Sequence, residues 1–116
     1  MHDLQSCKAI LYAVEEESRR CKGRKVVRIR LSIGALSGTE PEHLKETLAF
    51  CSLGTIAEGA ELEVVERPAR IRCLDCDSIF ETDRAGGPNC RRCNSSQTRI
   101  IDGDGLILES LEIETE

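Results

Sequence analysis

A chain of 116 residues with no tryptophan, one tyrosine and two phenylalanines must build its core from Leu, Ile, Val and Ala, in one domain or two very small ones. Its formal net charge of −5 argues against general binding to nucleic acid or to acidic membranes. No window approaches the roughly 18 apolar residues of a membrane span, and the N-terminus lacks the charged region and apolar run of a secretion signal, so a cytoplasmic location is expected.

The chain opens Met1-His2-Asp3. The α-amine of Met1, the backbone amide nitrogen of His2 and one imidazole nitrogen of His2 can close small chelate rings around a single ion. An amine, a deprotonated amide and an imidazole form a nitrogen-rich, roughly planar set that suits Ni(II) or Cu(II). Asp3 offers a fourth donor. The bland alternative is a start methionine followed by a solvated histidine in a frayed terminus.

From Leu4 to about Lys22 the apolar residues Leu4, Cys7, Ile10, Leu11, Val14 and Cys21 recur at helical spacing. Glu15, Glu16, Glu17, Arg19 and Arg20 supply the wet face, and Gly23 is the expected stop. Cys7 and Cys21 read as core packing. Lys25 to Ile33 alternates, with Val27, Ile29, Leu31 and Ile33 on one side and Arg28, Arg30 and Ser32 on the other, which predicts a half-buried strand. The loop Gly34-Ala-Leu-Ser-Gly38 is followed by no Gly-Lys-Ser/Thr, so it reads as a connection and not a phosphate cradle.

A second helix is expected to start at Thr39-Glu40-Pro41-Glu42, with Thr39 and Glu42 as a capping box and Pro41 in the first turn. Leu44, Leu48 and Cys51 mark its buried side, His43 faces solvent, and Gly54 ends it. Glu61 to Arg67 reads as a second strand with Leu62 and Val64 inside, and Pro68 closes the first compact unit. Gly103-Asp104-Gly105 is a turn. Leu106 to Ile113 is a last strand whose alternation slips, predicting a bulge near Glu109-Ser110 or a bend. This strand is too apolar to serve the segment before it alone, so it is expected to return to the first sheet.

The segment between is different in kind. Of seven cysteines, Cys7, Cys21 and Cys51 are scattered, while Cys73-Leu-Asp-Cys76 and Cys90-Arg-Arg-Cys93 are paired across thirteen residues. In a reducing cytoplasm the paired set reads as a metal site and the scattered set as small core residues. Two Cys-x-x-Cys turns complete a tetrahedron around zinc, leaving no open position for water, so the zinc is structural and not catalytic. The residue after each turn needs a left-handed backbone; here these are Asp77 and Asn94, the non-glycine types that best tolerate it. The module carries too little apolar mass to be expected to fold without metal. A rubredoxin-like iron site and a pair of redox dithiols are the competing readings. Residues 67–104 hold seven arginines against six acids, which is no basic footprint, and Phe80 is placed to pack over a knuckle. A cysteine nucleophile at Cys7, Cys21 or Cys51 lacks an activating base among its apolar neighbours.

The Met-His-acid start, the strand ending in Gly34-Ala-Leu-Ser-Gly38, the Pro-started helix, the four cysteines and the closing Ser110-Leu-Glu-Ile113 together resemble the HypA/HybF family of nickel metallochaperones in [NiFe]-hydrogenase maturation. The resemblance spans essentially the whole chain. It implies an α+β fold: two helices with a small mixed β-sheet forming a nickel-binding domain at 1–67 and 104–116, and an inserted zinc-ribbon-like domain at 68–103. It places Ni(II) on Met1 and His2, and Zn(II) on Cys73, Cys76, Cys90 and Cys93. It implies a metallochaperone and not an enzyme, acting by ligand exchange with a nickel-handling maturation GTPase and the [NiFe]-hydrogenase large-subunit precursor. In some organisms the urease maturation system is served too. Neither nucleic acid nor membrane is an expected partner. The sequence departs from the family pattern at Asp3, where Glu is commonest, at Asp77, where Gly is usual, and at Arg91, where Pro is common. The alternative is a zinc-ribbon interaction module or nucleic-acid-binding adaptor.

Overall fold

In the computed structural model, residues 3–83, 89–103 and 105–115 are described. Helices α1 (Asp3–Arg20) and α2 (Pro41–Cys51) alternate with strands β1 (Gly23–Gly34) and β2 (Glu61–Arg67); β3 (Ala69–Cys73), β4 (Ile79–Thr82), β5 (Thr98–Asp102) and β6 (Leu106–Thr115) follow. The strands form two sheets, ordered β2-β1-β6 and β4-β3-β5. This is the expected α+β architecture with a mixed sheet and a separate cysteine-bearing sheet. The chain divides into two compact units, Met1–Ser32 with Thr39–Val65 and Ile107–Glu116, and Ile33–Gly38 with Glu66–Leu106.

β1 is the central strand of its sheet, and that position explains its burial: Val26, Ile29, Leu31 and Ile33 have no exposed surface. Leu62 and Val64 of the edge strand β2 are only half-buried. Charged pairs reveal the strand senses. Arg28 reaches Glu61 at 3.1 Å and Arg30 reaches Glu63 at 3.6 Å, so the pairs advance together and β1 and β2 run parallel, with α2 in the crossover between them. Ser32 donates to Glu109 while Arg28 meets Glu112 at 3.8 Å, so β6 runs the other way. Glu109 and Glu112 are an odd number of residues apart, yet both face partners on β1. The pleat therefore changes phase between them, and Glu109 and Ser110 are both exposed, where the sequence predicts the slip. The core is completed by Cys7, Ile10, Leu11 and Val14 of α1, Leu44 and Leu48 of α2, and Ala57.

Four sequence expectations are corrected. Val26, not Val27, is buried; Val27 and Arg28 are both exposed, and from Leu31 to Gly34 every residue is buried, Ser32 included, so β1 does not alternate strictly. Near the start of β1 the Val26 N–H is taken by Ile56 O, from beyond α2, at 3.1 Å. Cys21 is exposed, because it lies beyond α1, which ends at Arg20; Leu4, at the other end, is 50% exposed. The left-handed stop is Lys22, with φ 58, and not Gly23. Gly23 is needed for closeness instead: a Cβ there would lie 2.5 Å from Ile113 Cγ2. Finally, the capping box does not form. Glu40 is the cap of α2, with no side-chain bond capping the helix, while Thr39 is buried, so Pro41 opens the helix with its fixed φ.

The second unit is built on strands that the sequence reading did not assign. The central strand β3 buries Ala69, Ile71 and Cys73 and exposes Arg70 and Arg72 between them. It pairs antiparallel with β4 (Ile71 opposite Phe80) and with β5 (Ile71 opposite Ile100), with a bulge at Arg70/Ile71. Gly103 packs against β3 so closely that a Cβ would meet Ala69 Cα at 2.4 Å, and its φ is 105. The stretch after β1 joins this unit through backbone hydrogen bonds: Gly34 N–H to Gly105 O (2.8 Å), Ala35 N–H to Arg67 O (3.0 Å) and Leu36 N–H to Gly103 O (3.0 Å).

Candidate metal centre

Each Cys-x-x-Cys segment folds as a tight knuckle for a stated local reason. The chain reverses after Cys76 and after Cys93 through left-handed residues, Asp77 (φ 63) and Asn94 (φ 59), as the sequence predicts. Those turns let Asp77 N–H return to Cys73 O (3.0 Å) and Asn94 N–H to Cys90 O (2.8 Å). They also aim amides at sulfur: Cys76 N–H at Cys73 Sγ (3.4 Å), and Arg92 and Cys93 N–H at Cys90 Sγ (3.3 and 3.5 Å).

The two knuckles bring all four Sγ atoms within 4.8 Å of one another, the one such cluster of possible metal ligands among the described residues. Cys73 lies 3.6 Å from Cys93 and Cys76 lies 3.6 Å from Cys90, sulfur to sulfur. A tetrahedral zinc with Zn–S bonds of about 2.3 Å puts its sulfurs about 3.8 Å apart. The donor set and its spacing therefore fit a structural Zn(II). Cys73 and Cys90 are buried, Cys76 half-buried and Cys93 exposed, so one edge of the tetrahedron faces solvent.

Ser78 is a site residue that the sequence reading missed. Its Oγ lies 3.1 Å from Cys76 Sγ and 3.5 Å from Cys90 Sγ. Only its place, two residues past a knuckle, hinted at this. Its hydroxyl is the main cause lowering the pKa of Cys76, followed by its backbone N–H. Cys90 is drawn from the ordinary 9.0 down to about 6, first by the Cys93 backbone N–H and then by the Ser78 hydroxyl. The Ser95 backbone N–H pulls Cys93 down, but its neighbours Cys73, Cys76 and Cys90, with burial, push it up to about 12. Cys76 and Cys90 are thus eased toward thiolate while Cys93 holds its proton, a charge pattern that a dication resolves.

Cys7 is fully buried, Cys51 half-buried and Cys21 exposed, its thiol donating to Ser18 O at 3.7 Å. His43 is on the exposed side of α2, as expected. Met1 and His2, the predicted nickel ligands, lie outside the described residues; α1 begins at Asp3, the residue after them.

Comparison with known proteins agrees with this architecture. The sequence profile described as "Hydrogenase/urease nickel incorporation, metallochaperone, hypA" matches residues 1–113. The chain is 39% identical over 114 residues to the hydrogenase maturation factor HypA of Acidithiobacillus ferrooxidans, covering 98% of this chain and 100% of that one. It is 30% identical over 114 residues to the hydrogenase maturation factor HybF of Escherichia coli (strain K12), with the same coverage. The solution structure of the Ni metallochaperone HypA from Helicobacter pylori has the same fold, with a TM-score of 0.75 at 23% identity over all of both chains.

Proposed function

The chain belongs to the HypA family of hydrogenase nickel-incorporation metallochaperones, and we propose that it carries Ni(II) on Met1 and His2 and passes it on by ligand exchange. The observation that carries this reading is a family match over residues 1–113, a span that takes in Met1, His2 and all four cysteines. The metal-binding groups divide the work. Four thiolates that close around zinc leave no exchangeable position, so that site holds structure. An N-terminal amine with one imidazole and a backbone amide is open to attack by another protein's ligands, which suits cargo.

The recipients in this reading are a nickel-handling maturation GTPase and the [NiFe]-hydrogenase large-subunit precursor, met in the cytoplasm, with urease maturation as a second route. The nickel-binding domain is 1–67 with 104–116, and the zinc domain is 68–103. No bond-making chemistry is assigned to the chain. Nickel affinity falls below about pH 6.5 as the His2 imidazole takes up a proton.

The test is a calorimetric Ni(II) titration at neutral pH on zinc-loaded protein with its Met1 amine free, beside His2→Ala and a variant with an added N-terminal residue. One site per chain, lost in both variants while zinc content stays constant, is the expected result. Equal weak binding in all three would remove Met1 and His2 from the site and leave the zinc-ribbon adaptor as the better account.

A further inference from the structure

The sheet of the second unit, ordered β4-β3-β5, has two edges, and they differ. Along β4, Arg91 stands over Phe80 and donates to Thr82, so that edge already carries a neighbour. β5 has no strand on its outer side among the described residues, and its residues from Arg99 to Asp102 are all exposed. The outward N–H and C=O groups of such an edge are a template for one more strand.

The register shows what that strand would meet. One face of the sheet carries the row Ile79, Arg72, Arg99, and the other the row Phe80, Ile71, Ile100. Arg72 and Arg99 are like charges placed directly opposite, an arrangement that costs stability. Arg72 turns to Asp77, its Nε donating to Oδ1 at 2.8 Å. Arg99 holds no side-chain hydrogen bond or ion pair among the described residues, and no acid stands in its row. In the second row Ile71 is fully buried, while Ile100, at the open end, is 39% exposed. The edge thus presents, on neighbouring residues and opposite faces, a cation lacking a counter-charge and an apolar side chain lacking cover.

We propose that an extended segment of a partner protein adds to β5 as a fourth strand, with an acidic side chain opposite Arg99 and an apolar one opposite Ile100. Successive side chains of a strand point to opposite faces, so the acid and the apolar residue are adjacent in the partner's sequence. A strand supplies that alternation and a nucleic acid does not. Phe80, the one aromatic between residues 67 and 104, is half-buried beneath Arg91, which leaves no ring for a base to stack on. Backbone hydrogen bonds give the affinity, and the two side-chain pairs give the choice of partner. The regular edge runs only from Thr98 to Ile100 before the bulge at Arg70/Ile71 shifts the register, so the complex is weak and readily released. None of these residues is a metal ligand, and the inference is independent of the nickel reading.

A capped peptide alternating valine and glutamate, titrated into labelled, zinc-loaded protein and followed by NMR, tests it. The backbone amide resonances of residues 98–101 should shift, and their protons should exchange more slowly. Arg99→Glu, with zinc content and fold unchanged, should weaken that peptide several-fold and bind instead a peptide with lysine in place of glutamate. The valine–glutamate peptide with its backbone amides methylated keeps its side chains but cannot join a ladder, and it should not bind. A methylated peptide that binds as well as its parent overturns the proposal, as does an Arg99→Glu variant that binds the glutamate peptide unchanged, or a titration in which no resonance of β5 moves. An oligothymidylate that shifts β5 where the peptide does not would give this edge to nucleic acid and overturn it too.

Discussion

The guanidinium carbon of Arg91 stands 5.8 Å from the centroid of the Phe80 ring, and Arg91 Nη2 donates to Thr82 Oγ1 at 2.9 Å. The second knuckle is thus fastened to β4 by a side chain. A cation over the face of a half-buried ring such as Phe80 is worth about 0.5–1 kcal/mol, and the neutral hydrogen-bond acceptor adds a similar amount.

Arg91→Ala should therefore destabilise the zinc unit by about 1–2 kcal/mol without removing zinc. Arg91→Lys should recover part of the loss, keeping charge over the ring but not the reach to Thr82. Thermal melts of the zinc-loaded protein read the difference, with bound zinc measured alongside; zinc lost in step with stability would count against a purely mechanical tie.

Asn94 sits at φ 59 with no structural duty beyond reversing the chain. Asn94→Gly should hold or raise stability, while Asn94→Ala should cost about 1–2 kcal/mol, the penalty of a left-handed backbone with a Cβ. Asp77 differs, because its Oδ1 accepts from Arg72 Nε at 2.8 Å. Asp77→Gly exchanges that exposed contact for backbone freedom and should come out close to neutral. The rate of zinc loss to a chelator is a convenient measure of both.

Gly103→Ala should be the most damaging of these small changes. Its Cβ would enter backbone at Ala69, 2.4 Å from Cα, at a φ of 105 that side chains rarely adopt. Overpacking of this kind costs about 1–3 kcal/mol before strain is added. Gly38→Ala is the control, since its φ of 81 imposes the same strain with nothing within 4 Å. Limited proteolysis should open the zinc unit in the first variant and spare the second.

Acid should drive zinc off in two regimes. A thiol whose pKa is depressed in the folded chain contributes stability that is complete above its ordinary 9.0 and disappears as pH falls through about 6, which is the window for Cys90. Cys93, raised to about 12, keeps its proton through that window and surrenders it only to metal. Zinc uptake below about pH 6 must therefore displace one more proton than uptake above it, and the slope of log affinity against pH should steepen there by about 1. Ser78→Ala should shift the break to higher pH. A break near 9 in the wild type would show that the metal-free knuckles do not hold their shape.

The sequence was legible where chemistry and periodicity coincide. The four sulfurs, the left-handed Asp77 and Asn94, the buried Leu44 and Leu48 and the phase slip at Glu109-Ser110 each follow from a residue type at a fixed offset. It misled where a distant contact decides. Val26 is turned inward by a hydrogen bond to Ile56. Gly23 is small because Ile113 lies against it, not because a helix ends there. β3, β4 and β5 escaped notice because their strands are only four or five residues long and alternate arginine or acid with few aliphatics, so no apolar stripe announces them. The contacts of Ser78 with two sulfurs depend on the knuckles being folded, which no local pattern reports.

Arg67 and Gly103, where the chain enters and leaves the cysteine-bearing excursion, are both gripped by the short run Gly34-Ala35-Leu36. Backbone alone makes that grip, with no sulfur or metal in it. The excursion is in effect a noose already drawn at its neck. Loss of zinc should slacken the knuckles and leave the neck tied, so that returning metal would find its four thiolates confined to a closed loop and not strewn along an open chain. The entropy of closing that loop would be met before the ion arrives, and reloading should be a local event confined to the knuckles.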